Sequence, residues 1–147
     1  MLTRSQFLRG GSVAAFSLFT LGACAAPAGN SVGVSATLSS AAEVPPNQSA
    51  ATGTLQGSYD KSSKLLKWKL VYSGLSGPAT MAHFHGPALA GENAGVVVPL
   101  ANPASMAEST ATLTDAQAAD MLAGKWYINV HTAANPGGEI RGQLMVK

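Results

Sequence analysis

The chain has 147 residues, 46% of them hydrophobic and 11% charged, with a formal charge of +2. This length suits one globular domain with a sizeable core rather than several. Beyond Arg4 and Arg9, seven basic residues face seven acidic ones, so the remaining chain lacks the basic excess that phosphate binding needs, and a nucleic-acid partner is excluded.

In chain order, residues 1–23 read as an export signal. Arg4 and Arg9 form a basic start, an uncharged apolar run follows from Gly11 to Leu21, and small residues close the stretch. The run is shorter than the roughly 18–20 residues that span a bilayer as a helix. Leu21-Gly22-Ala23-Cys24 resembles the bacterial lipobox, which implies a lipid on Cys24 and anchoring in the cell envelope, periplasm-facing or at the cell surface. The alternative is a soluble secreted protein cut near Ala23. Thr3 to Arg9 also resembles a twin-arginine signal in which Ser5 replaces one arginine, so the export route stays open. Cys24 is the only cysteine; once lipidated it leaves no thiol for a disulfide or a metal. Residues 24–31 then form a short tether of small residues.

The folded domain is expected over residues 32–147. Residues 32–38 and 52–59 have strand character, separated by Glu43-Val44-Pro45-Pro46-Asn47, whose prolines cannot donate in a central ladder. Leu66, Trp68, Leu70 and Tyr72 alternate with Lys67, Lys69, Val71 and Ser73, a period of two with one apolar face. Further strands are expected at 80–85, 96–100, 109–113, 126–131 and 140–146, between glycine- and proline-rich turns. One short connecting helix is expected near 114–123, because Thr114 and Gln117 form a capping box and Gly124 supplies a stop; Ala118, Met121 and Leu122 would face the core. This pattern predicts an all-β fold, an antiparallel Greek-key sandwich.

The three histidines of the chain fall in two of these strands. In His83-Phe84-His85 the alternation places both imidazoles on one face and Phe84 on the core side. In the strand from Trp126 to His131, Trp126, Ile128 and Val130 take the core side, so His131 points the other way. Backbones two residues apart on a strand are separated by roughly 6–7 Å, close enough for ring nitrogens to converge on an ion at about 2 Å. The same residues could equally be solvated or hydrogen-bonded within loops, and adjacency of the two strands is not given by the residues themselves.

Three motifs in order carry a family resemblance across nearly the whole expected domain. Ala42-Glu43-Val44-Pro45-Pro46, Ala82-His83-Phe84-His85-Gly86-Pro87-Ala88, and the stretch from Trp126-Tyr127-Ile128-Asn129-Val130-His131 through Gly137-Gly138-Glu139-Ile140-Arg141-Gly142 resemble the chordin-type (CHRD) domain. The resemblance implies a sandwich similar to copper-zinc superoxide dismutase. His83, His85 and His131 resemble three of that enzyme's four copper-site histidines, whereas the bridging histidine and the zinc ligands are missing. Arg141 resembles its anion-guiding arginine; the plainer reading is a strand-surface residue paired with Glu139 or the carboxy terminus.

Three imidazoles without a thiolate or clustered carboxylates suit copper, Cu(I) or Cu(II), ahead of zinc. Met81 shares the strand parity of His83 and His85 and is a candidate soft ligand for Cu(I), or else a core or rim methionine. Glu43 and Asn129 are candidates for acceptors that fix a ring tautomer. Copper buffering, carriage or detoxification in the envelope is the leading functional expectation. The alternatives are a metal-free module that docks an envelope protein, and a superoxide-acting oxidoreductase. No Gly-x-Ser-x-Gly elbow, His-Glu-x-x-His helix or nucleotide-binding loop occurs.

Overall fold

The computed structural model describes residues 29–147. The expected export signal, Cys24 and most of the tether lie outside the described residues. Nine strands and one α-helix follow: β1 (Ser31–Ser39), β2 (Thr52–Asp60), β3 (Leu65–Ser73), β4 (Ala79–His85), β5 (Val96–Pro99), β6 (Glu108–Thr112), α1 (Asp115–Leu122), β7 (Tyr127–Thr132), β8 (Ile140–Gln143) and β9 (Met145–Val146). Among the described residues no helix is long and apolar enough to cross a membrane.

All ladders are antiparallel, in the order β5-β4-β7-β8-β1-β2-β3-β6, with β9 alongside β1. Only the Ser39–Arg141 pairing joins β8 to β1, so the sheet folds over at this seam into two layers. Trp68 of β3 and Phe84 of β4, far apart in the strand order, meet edge to face with centroids 5.0 Å apart. The connections fit a Greek-key sandwich: after the β1–β2–β3 meander the chain crosses to β4, returns to the β3 edge with β6, and crosses again through α1 to β7.

The core is built by the expected alternation. Leu66, Trp68 and Leu70 are buried from one layer, and Ala82, Phe84, Ile128 and Val130 from the other, with Trp126 beside them. Complete burial of a side chain such as Phe84 contributes about 2–3 kcal/mol. In α1 both halves of the capping box form, with Thr114 Oγ1 accepting from the Gln117 N–H at 3.2 Å and Gln117 Oε1 accepting from the Thr114 N–H at 2.9 Å. Ala118 and Met121 are buried, but Leu122 is 39% exposed, contrary to expectation. It lies about 100° around the helix from Met121 and about 40° beyond Ala118, at the margin of the buried stripe that those two define.

The last expected strand, 140–146, divides at Leu144. That residue turns into the core, its N–H bonds the Trp126 carbonyl at 2.8 Å, and β9 moves across to pair with β1. Where β7 ends at Thr132, Glu139 is fully buried and accepts from Ser49 Oγ, Ser76 Oγ and Thr132 Oγ1, each at 2.6 Å, and from the Ser76 N–H at 2.8 Å. Burial raises its pKa, but these donors outweigh burial and hold the carboxylate at about 2. One charged side chain thereby fastens the β1–β2 loop, the β3–β4 loop and the end of β7 together.

Candidate metal centre

β4 and β7 are neighbours, with Met81 opposite His131, His83 opposite Asn129 and His85 opposite Tyr127. Because Ala82, Phe84, Ile128 and Val130 fill the core, alternation sends all six of these residues to the outer face of the layer. β8 adds Arg141, opposite Asn129, and Gln143, opposite Tyr127. The loop from β4 to β5 and the loop from β7 to β8 supply carbonyls to this face, leaving His83 half-buried and His85 and His131 buried.

His83 Nδ1 stands 3.1 Å from His131 Nε2. His131 Nδ1 lies 3.0 Å from the Pro136 carbonyl, which can only accept, so the proton sits on Nδ1 and the Nε2 lone pair faces His83. Burial lowers the pKa of both rings; for His83 the neighbouring imidazoles lower it further, and for His131 the Pro136 bond works against the shift. Both rings are therefore neutral at pH 7, the form that binds a metal. Two nitrogens sharing an ion at about 2 Å stand no more than about 4 Å apart, so this pair is already at ligand spacing.

His85 is held differently. Its Nδ1 lies 3.0 Å from the Ala94 carbonyl, its Nε2 lies 3.0 Å from Asn129 Oδ1, and its ring stacks on Tyr127 with centroids 4.8 Å apart and planes 2° from parallel. One candidate nitrogen from each of the three histidines lies within 4.8 Å of the others. The arrangement can hold a metal ion, and coordination through His85 Nε2 requires release of its Asn129 contact.

Arg141 is only 2% exposed, so it is not a strand-surface residue, and it does not pair with Glu139. It donates to Asn93 Oδ1 at 2.9 Å and to the Glu92 carbonyl, with Cζ 3.3 Å from the Tyr127 ring centroid. The cause is its place on an interior strand, between β7 and β1 and under the β4–β5 loop. Tyr127, on the strand between, is thus flanked by His85 and by Arg141.

Glu43 is buried, and its Oε1 has no hydrogen-bond partner among the described residues. Burial raises its carboxyl to about 7, against the pull of the Arg141 charge and a Val44 backbone hydrogen bond. Of the two expected tautomer-fixing acceptors, Asn129 meets a ring; the other acceptors are the Ala94 and Pro136 carbonyls. Met81 is 46% exposed at the rim, which removes the core alternative. Tyr127 went unnoticed in the sequence although its parity with Asn129 and His131 places it on the same face. The two carbonyls leave no sequence signal, since any residue supplies one.

The family model for the CHRD domain matches residues 34–144. The chain belongs to the CHRD-domain family. No curated protein and no solved structure matches it. All three histidines, Asn129 and Arg141 fall within the CHRD domain, as do the loops that supply the carbonyls.

Proposed function

We propose that this CHRD-domain protein binds copper through His83, His85 and His131 and works in the cell envelope, anchored by a lipid on Cys24, to buffer, carry or detoxify the ion. The observation that carries the reading is the convergence of three imidazoles, two of them at 3.1 Å with a lone pair between them. Neutral nitrogen ligands without thiolate or carboxylate favour copper over zinc and over hard cations. The export signal read from residues 1–23 supports the setting, because copper is met outside the cytoplasm. The resemblance to copper-zinc superoxide dismutase supports the choice of ion but not that enzyme's bimetallic chemistry, for which the second set of ligands is missing.

The test is titration of the purified chain with Cu(II), Cu(I) and Zn(II) beside a His83→Ala, His85→Ala, His131→Ala variant. Copper binding is expected to be lost in the variant; equal binding by both proteins would sink the site. One observation favours a second reading, a metal-free binding module: each of the three rings already has a hydrogen-bond partner in the protein. On that reading wild type takes up no copper, and the triple variant loses stability instead.

A further inference from the structure

The three histidines are not equivalent, and the difference points to a ligand outside the histidine set. His83 and His131 face each other at 3.1 Å. His85 is engaged at both ring nitrogens and stacked on Tyr127. Met81 stands directly across the β4–β7 ladder from His131 and two residues before His83. Directly opposed residues on an antiparallel pair have Cβ atoms about 4.5–5.5 Å apart, and a methionine has three rotatable bonds beyond Cα with which to close that gap. The side chain is 46% exposed on the same outer face as the half-buried His83, so it is free to swing over the ion position without breaking core packing.

We propose that Met81 is a Cu(I) ligand of this centre, its thioether sulfur acting first with His83 Nδ1 and His131 Nε2, with His85 joining on release of its Asn129 contact. The inference rests on the copper reading above and gives it an oxidation state. A thioether is a soft donor that favours Cu(I) and contributes little to Zn(II). Placed at the rim, it also makes the entry side of the site selective, because an arriving Cu(I) meets sulfur before the buried imidazole of His131. His83 needs its proton on Nε2 for Nδ1 to bind, a tautomer change within a neutral ring.

The experiment uses the purified full chain, with Cu(I) affinity measured anaerobically against a competing chelator and Zn(II) affinity measured in parallel. Met81→Leu keeps the apolar bulk at an exposed position. It is expected to lower Cu(I) affinity by more than the roughly 10- to 100-fold that loss of an outer-shell partner costs, and to leave Zn(II) affinity unchanged. X-ray absorption of the Cu(I)-loaded chain should show a sulfur scatterer that disappears in the variant. Met106→Leu, at a position 65% exposed elsewhere on the surface, should change neither ion. An unchanged Cu(I) affinity in Met81→Leu, or an equal loss for Zn(II), overturns the Met81 assignment and leaves the histidine site standing. Wild type that binds neither ion overturns both.

Discussion

Adding one methyl group at Gly138 tests the link between the fold and the site, because its neighbour Gly137 provides a built-in control. Gly138 has φ +134°, in a region that L side chains rarely adopt; holding a side chain there costs about 1–3 kcal/mol. A Cβ would also collide with Glu43 Oε1 and come within 2.7 Å of Glu43 Cδ and 2.9 Å of Asn129 Nδ2. Forcing those groups aside is an overpacking cost of about 1–3 kcal/mol. Taking the middle of both ranges, Gly138→Ala should lose about 4 kcal/mol, a fall in Tm on the order of 15 °C for a domain of this size. A Cβ at Gly137 meets nothing within 4 Å and carries no positive φ, so Gly137→Ala should leave Tm unchanged. The assay is thermal unfolding followed by circular dichroism. In a Glu43→Ala background the collision with the carboxyl is relieved while the φ strain remains, so the double-mutant cycle should show a coupling of about 1 kcal/mol or more. Equal melting temperatures for the Gly137 and Gly138 variants would refute the reasoning.

Glu139→Gln should cost about 2 kcal/mol at pH 7, since four hydrogen bonds lose their charged acceptor. The folded pKa of Glu139, about 2, lies below its ordinary 4.5, so its contribution is present above pH 4.5 and drains away as pH falls toward 2. Chemical denaturation across that range should show a shallower acid loss in the variant than in wild type. Glu43 has the opposite sign: its folded pKa is raised from 4.5 to about 7, so its charging weakens the fold as pH climbs through that window. Glu43→Gln should be neutral at pH 4 and stabilising by about 2 kcal/mol at pH 8; an equal effect at both values would remove burial as the cause. Because the pKa values of His83 and His131 are lowered from 6.5, copper affinity should hold steady from pH 8 to about 6.5 and fall in more acid solution as protons compete for the lone pairs. A titration series over that range checks it, and a steep loss beginning above pH 7 would contradict neutral rings.

Local chemistry alone determined much of this protein. Alternation placed Phe84 in the core and His83, His85 and His131 on the opposite faces of their strands, because side chains on a strand switch sides at every residue wherever it pairs. The capping box of Thr114 and Gln117 was readable for the same reason: its partners are three residues apart. Neighbourhood was another matter. That β4 lies beside β7, setting His83 Nδ1 3.1 Å from His131 Nε2 across 48 positions of sequence, depends on how the whole sheet orders its strands. Leu122, expected inside, came out exposed because only packing decides where the buried stripe of a short helix ends. Arg141 reads as a surface residue until a loop covers it, and Glu43 as an ordinary acid until burial moves its proton. Which nitrogen of His131 is bare was decided by the carbonyl of Pro136, a backbone group that every residue has and only the tertiary structure can aim.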